Sequence, residues 1–254
     1  MSPQRLLAGG VTAFLPCHNE EGNVEGVVAA VVRALEALGV PFEVVVVDDG
    51  STDRTAEVAA RLAQRDPRVR LVQHPRNLGY GAALRTGFAS ARYPWIFFTD
   101  GDGQFDPADL VRLVPHAASA DFVVGYRIRR QDPPHRRLYG WLWNLLVRLW
   151  FGVRVRDVDC AFKLLRREVV SALPLRSTGA FLSTELLCRA ARRGARIVEV
   201  GVPHYPRRWG RQSGGRLDVV LRAFWELWKL RRELRASTPP TGAAGHSSNT
   251  SPGR

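Results

Sequence analysis

The chain has 254 residues and a mass of 28.3 kDa, and it is 45% hydrophobic and 24% charged, the composition of a folded globular protein. This excludes a collagen-like, wholly disordered or polytopic membrane protein, since no run reaches the roughly 18 uncharged apolar residues of a span. The net charge of +13 is uneven: residues 126–176 hold 12 basic and 4 acidic residues, and residues 203–235 hold 9 and 3. A near-neutral first half thus precedes a basic second half able to face phosphates, anionic lipid or nucleic acid. Cys17, Cys160 and Cys188 are odd in number, far apart and without zinc-site spacing. They point to reduced thiols in a cytoplasmic protein. The apolar stretch 6–15 runs into Pro16-Cys17-His18 and reads as a first strand rather than a signal peptide.

In chain order, residues 11–16 read as a buried strand. Val24, Val27, Val28, Val31, Val32, Leu35 and Leu38 keep helical spacing. Residues 42–47 form a β-branched run that ends at Asp48-Asp49-Gly50-Ser51, a strand entering a turn. The pattern then predicts a helix over 55–62, a strand over 69–72, a small-residue helix over 79–91 and a strand over 95–99. Pro107 opens another helix, and residues 121–125 another strand. Such alternation predicts an α/β domain with a largely parallel sheet, whose ligands bind beyond the carboxyl ends of the strands. In the second half, residues 136–151, 183–193 and 216–234 read as helices and 196–200 as a strand. Residues 236–254 lack Leu, Ile, Val and Phe and read as a disordered tail. The expected organisation is an N-terminal extension (1–9), an α/β domain (10–215), an amphipathic helix (216–235) and that tail.

Two acidic clusters fall at predicted strand ends. In Asp100-Gly101-Asp102-Gly103-Gln104, two carboxylates one residue apart can share a hard divalent cation, and the glycines admit a ligand closely. A solvated turn has the same composition. In Asp48-Asp49-Gly50-Ser51-Thr52-Asp53, a carboxylate can accept from a nucleobase N–H or a ribose hydroxyl. Helix capping accounts for Ser51, Thr52 and Asp53, but not for the two adjacent acids.

The ordered set 16–23 (PCHNEEGN), 46–53 (VVDDGSTD), 77–81 (NLGYG) and 100–104 (DGDGQ) resembles the family 2 glycosyltransferases, most closely the dolichol-phosphate (polyprenyl-phosphate) mannosyltransferase branch. The likeness continues through Gly125-Tyr126-Arg127, residues 157–163 (DVDCAFK), Ser183-Thr184-Glu185-Leu186 and residues 207–213 (RRWGRQS). Ala161 and Lys163 stand where that branch commonly has Gly and Arg, and Gln212 adds a residue before Ser213. The resemblance implies a GT-A (nucleotide-diphospho-sugar transferase) fold. It implies that Pro16, His18, Glu20 and Asp49 hold the nucleoside of a GDP- or UDP-linked sugar. By the same likeness, Asp100, Asp102 and Gln104 hold Mg²⁺ or Mn²⁺, and Arg127 and Arg207 contact phosphates. It also implies inversion at the anomeric carbon.

Two acceptor readings stay open. A polyprenyl phosphate is already anionic, because a phosphate monoester has its second pKa near ~6. A hydroxyl acceptor, on a glycan or small metabolite of the cell envelope, needs a base, and Glu185 or Asp157 is the candidate. In the run 141–151 the polar residues Asn144 and Arg148 stand four apart. In the last helix Arg222, Glu226 and Lys229 fall at i, i+4 and i+7. Each helix thus carries one narrow polar stripe and a broad Trp-rich face, suited to a peripheral position on the cytoplasmic face of a membrane, to a membrane partner subunit or to a homodimer. A nucleic-acid-binding module would not need the acidic clusters, and a non-catalytic scaffold would not need Asp100 and Asp102.

Overall fold

A computed structural model of the chain describes residues 1–128, 134–207, 209 and 217–236. The elements run α1 (Pro3–Leu6), β1 (Val11–Cys17), α2 (Val24–Leu38), β2 (Phe42–Asp48), α3 (Thr55–Arg65), β3 (Val69–Gln73), α4 (Tyr80–Ser90) and β4 (Trp95–Thr99). After two 3₁₀ turns flanking α5 (Leu110–Leu113) come β5 (Phe122–Ile128), α6 (Pro134–Phe151), β6 (Phe162–Arg166), α7 (Arg167–Ser171), α8 (Leu182–Arg192), β7 (Ile197–Pro203) and α9 (Leu217–Ala236).

One sheet of seven strands has the order β3-β2-β1-β4-β6-β5-β7, and β6 alone runs antiparallel to its neighbours. This is the expected largely parallel sheet. β1 and β2 are buried along their whole length, and a central parallel strand covered on both faces reads as a continuous apolar run. Phe14 stacks on Phe98 at 5.4 Å and meets Phe88 of α4 edge-on at 5.2 Å. Each such buried side chain is worth about 1.5–3 kcal/mol. The strand order reverses at β1, which has β2 on one side and β4 on the other. Cys17, Asp48 and Thr99 end these three strands at one edge, with Cys17 in register with Asp48.

The structure departs from the sequence expectations in three places. Residues 162–166, read only as part of a motif, form β6 between β4 and β5. Asn144 and Arg148 do not share a stripe: Asn144 turns inward, donating to the Gly140 carbonyl at 2.8 Å and accepting from the Val158 amide at 3.0 Å, while Arg148 is exposed. Residues 1–9 are more than an extension, since Leu7 is fully buried. The expected tail beyond Ala236, together with Gln212 and Ser213, lies outside the described residues. Among the described residues, no helix is long and apolar enough to cross a membrane.

Candidate active site

Three loops meet at the carboxyl edge of β1, β2 and β4. The loop after β1 is laced to the loop after β2. The Asn19 amide donates to Ser51 Oγ at 2.9 Å, the Glu20 amide to Thr55 Oγ1 at 2.8 Å, and the Glu21 amide to Asp53 Oδ2 at 3.1 Å. Ser51 and Asp53, expected as helix caps, thus hold the preceding loop, while α3 begins at N-cap residue Arg54 without a side-chain cap bond. Asn19 sits at φ 58°, a region asparagine tolerates, and its side chain accepts from the Thr52 amide at 2.8 Å. The Pro16 carbonyl accepts from the Gly101 amide at 3.4 Å, which joins the β1 end to the acidic loop after β4.

Asp49 is buried, and its carboxylate is engaged by the chain itself. It accepts from His74 Nδ1 at 2.7 Å and from the amides of Leu78 and Gly79 at 2.9 Å each. Gly50 has φ 63°, and a Cβ there would lie 2.2 Å from the Arg76 carbonyl carbon, so only glycine allows this approach. Beside it opens a cleft of about 880 Å³ lined by His18, Asn19, Ser51, Thr52, His74 and Asn77, among others. His18 Nδ1 contacts the Asp49 carbonyl at 3.0 Å, and its Nε2 contacts the Asn77 amide nitrogen at 3.0 Å. Pro16 and Asp49 are buried and are not among the residues lining this cleft.

Asp100 and Asp102 stand together past β4. Tyr80, the first residue of α4, donates its hydroxyl to Asp100 at 2.9 Å. Burial, then Asp102 alongside, pushes the Asp100 carboxyl up to about 7, and burial with the Asp100 charge holds the Tyr80 phenol well above its ordinary value. Asp102 accepts from the Gln104 amide at 3.1 Å, and the Gln104 side chain donates to the Tyr205 carbonyl at 3.1 Å. Arg207 lies 3.5 Å from Asp102 and donates to Glu20. Burial raises the Glu20 carboxyl, opposed by its hydrogen bond from Asn23 and by Arg207.

Among the described residues, no cluster of three or more His, Cys, Asp or Glu could hold a metal. Two crowded carboxylates, one of them strained by the other's charge, fit a hard divalent ion that completes its shell with water and phosphate. The donor set therefore fits Mg²⁺ or Mn²⁺.

Arg127 and Asp157 face each other in a fork, with bonds of 2.6 and 2.8 Å. Burial opposes the Arg127 charge, but the Asp157 pairing outweighs it and holds the guanidinium above its ordinary value. Glu185 accepts from the Arg176 and Ser177 amides, the latter at 2.8 Å, and from Arg189 Nε at 2.8 Å. Both candidate bases are thus held in arginine pairs, and the structure groups Glu185 with α8 and α9 rather than with Asp100 and Asp102. Sequence reading passed over His74, and it met Lys163 only as a departure from the family's arginine, without its burial. Lys163 donates to the Val158 carbonyl at 3.2 Å and to Cys160, and it lies 5.1 Å over the Phe98 ring. Burial lowers its ammonium pKa, opposed by Cys160 and by Asp159, Asp157 and Asp100.

Cys17 lies directly beneath the acidic loop. A Cβ on Gly101 would stand 2.4 Å from its sulfur, yet 3.7 Å from its Cβ. Gly101→Ala is therefore expected to displace both acids and cut activity by about a hundredfold, by analogy with small misplacements elsewhere. Gly101→Ala combined with Cys17→Ala should restore most of it. Steady-state rates of the three variants check this, and a double variant as slow as Gly101→Ala would refute the steric cause.

The family model for glycosyl transferase family 2 matches residues 12–173. Glycosyltransferase AglD of Haloferax volcanii is 33% identical over 262 residues, which cover 94% of this chain and 41% of that protein. An undecaprenyl-phosphate 4-deoxy-4-formamido-L-arabinose transferase of Pseudomonas aeruginosa is 38% identical over 165 residues, 64% of this chain and 49% of that one. The chain thus spans less than half the length of these two relatives. Glucosyl-3-phosphoglycerate synthase from Mycobacterium tuberculosis, solved with Mn²⁺, uridine diphosphate and glucosyl-3-phosphoglycerate, superposes with a TM-score of 0.65 at 22% identity, covering 95% of this chain and 86% of that one. That likeness is one of fold, the GT-A arrangement. With a matched segment running from β1 through β6 and the acidic loops at the carboxyl edge of its sheet, the chain belongs to glycosyl transferase family 2.

Proposed function

We propose that the chain moves a sugar, with inversion, from a nucleotide sugar to a polyprenyl phosphate at the cytoplasmic surface of a membrane. The observation that carries the acceptor is the surface built by α6 and α9. The two helices touch through Trp143 and Phe224, 5.7 Å apart, and through Arg231 over Trp150 at 4.5 Å. Outward from this seam stand Leu138, Trp141, Leu142, Leu145 and Leu149 on one helix and Trp225 and Trp228 on the other, with Leu149 72% and Trp225 60% exposed. Lys229 and Arg232 cover the Trp225 and Trp228 rings at 5.4 and 4.7 Å. Exposed tryptophans under cations suit the boundary between acyl chains and anionic headgroups. The Pseudomonas relative is named for an undecaprenyl-phosphate acceptor, and the three cysteines are free, in keeping with a cytoplasmic position.

On the donor side, His18, Asn19, Ser51 and Asn77 would line the nucleoside pocket, with Asp49 and Pro16 shaping it and Glu20 anchoring Arg207. Asp100, Asp102 and Gln104 would hold Mg²⁺ or Mn²⁺, which supplies positive charge to the diphosphate as it leaves. The Mycobacterium neighbour, solved with Mn²⁺ and uridine diphosphate, supports the use of a divalent metal with a nucleotide. An acceptor phosphate oxygen attacks the anomeric carbon, and the bond from that carbon to the diphosphate breaks with its electron pair on the leaving oxygen. Arg207 stabilises that oxygen's growing charge, and Arg127 would orient the acceptor phosphate. An ionised phosphate gives up no proton, so this route needs no base. That agrees with Asp157 and Glu185 both being held in arginine pairs.

The test compares polyprenyl phosphate with the unphosphorylated alcohol, alongside vesicle flotation. Transfer to the phosphate alone is expected, with flotation on anionic vesicles that weakens at high salt. Trp225→Glu with Trp228→Glu should cut vesicle binding by about tenfold or more; both residues are exposed, so the fold should survive. Activity on the alcohol alone, without flotation, would instead favour the hydroxyl-acceptor reading.

A further inference from the structure

We propose that Arg207 is a resident cation, standing in for the divalent metal at Asp102 until a nucleoside diphosphate draws it away. The inference rests on the reading of Asp100 and Asp102 as the metal carboxylates.

Arg207 belongs to the segment after β7, yet it reaches across to two other loops. One guanidinium nitrogen lies 3.5 Å from Asp102 Oδ2, and another donates to Glu20 Oε1. Its Nε donates to the Trp209 carbonyl at 2.6 Å. The segment is fixed below by reciprocal hydrogen bonds, from the Tyr205 amide to the Gln104 carbonyl at 2.9 Å and from the Gln104 side chain to the Tyr205 carbonyl at 3.1 Å. It is fixed above by Trp209, whose ring lies so close to Gly22 that a Cβ there would stand 2.8 Å away.

The charges explain the placement. Glu20, Asp100 and Asp102 converge in a largely dry space, where uncompensated carboxylates are costly. One guanidinium answers two of them. A divalent ion bound at Asp102 would sit beside that guanidinium, and two like charges at such a distance repel strongly in a protein interior. Metal alone must therefore push Arg207 aside without giving it a new partner. A diphosphate changes this, because its oxygens accept from arginine in the fork geometry guanidinium prefers. The same cation then moves from the protein's acids to the leaving group. Metal and nucleotide are thereby taken up together, and metal without nucleotide is held weakly.

The experiment measures Mn²⁺ binding to nucleotide-free protein by the electron paramagnetic resonance signal of free Mn²⁺. Arg207→Met is expected to bind Mn²⁺ at least about fivefold more tightly than the unaltered chain, although it transfers sugar more slowly. Arg207→Gln gives the same reading if the first variant does not fold, and Arg207→Lys should lie between. Unchanged or weaker Mn²⁺ affinity on losing the arginine, in a protein where Asp102→Asn abolishes binding, would overturn the proposal. If Asp102→Asn instead binds Mn²⁺ as well as the unaltered chain, the metal reading fails and this inference fails with it.

Discussion

Asp102→Ala is expected to slow sugar transfer by about a thousandfold or more, a loss of roughly 4 kcal/mol of transition-state stabilisation. The protein should remain folded. Asp102 is nearly buried, but its local bonds are few, one from the Gln104 amide at 3.1 Å and a looser contact with Arg207 at 3.5 Å. Losing the first costs about 1 kcal/mol. Part of that returns, because Asp102 is one of the two causes, after burial, that hold the Asp100 carboxyl near about 7. Melting temperature and rate, measured on one preparation, separate the two effects. Activity within tenfold of the unaltered protein, or full activity in excess chelator, would remove Asp102 and the metal from the mechanism.

The largest stability effect is expected at Asp49. Its buried carboxylate accepts from the buried His74 at 2.7 Å and from two half-buried backbone amides at 2.9 Å each. Asp49→Ala leaves the His74 nitrogen stranded, at about 1–3 kcal/mol, while water can reach the two amides at lower cost. The expected total is about 2–4 kcal/mol. The damage should be local as well as global, since Leu78 and Gly79 fix the turn that places Asn77 against His18. Nucleotide affinity should therefore fall by about tenfold or more in the molecules that remain folded. Urea unfolding reads the first effect and calorimetry with nucleotide the second. Unchanged stability would show that the turn is held by other means.

The parallel half of the sheet was legible because its strands are covered on both faces, which forces unbroken apolar runs such as 42–47. β6 was not. It pairs antiparallel between β4 and β5 and carries Lys163 into the interior, so neither alternation nor a pure apolar run marks it. Its paired residues lie 39 or more residues away in sequence, a distance that local patterning cannot read. The helix faces were half legible. Periodicity showed that residues 141–151 have a polar and an apolar side. It could not show that Asn144 would be turned inward to hold Val158.

The acidic loops were legible because each ends an apolar strand, where carboxylates have no part in packing. What holds them was not. Tyr80 on Asp100 comes from the start of α4 and His74 on Asp49 from the loop after β3, and neither residue type is unusual at its position. Glu185 was visible as an acid at a helix start. Its commitment to Arg189 and to the amides of residues 176 and 177 depends on how α8 meets that loop.

The same loop gives α9 a second office. Glu233 on α9 pairs with Arg189 at 3.0 Å and with Arg176 at 3.4 Å. Arg176 opens the loop whose Thr178 carbonyl accepts from the Ala82 amide at 3.2 Å and lies against Gly79, at the start of the helix that presents Tyr80 to Asp100. The helix that bears the outward tryptophans is thus also a brace for the donor side. If α9 also meets the membrane as proposed, shortening the chain to free it from lipid would strip the brace together with the anchor. Attachment and catalysis would then fall in the same stroke, whereas surface changes at the exposed Trp225 and Trp228 would part them.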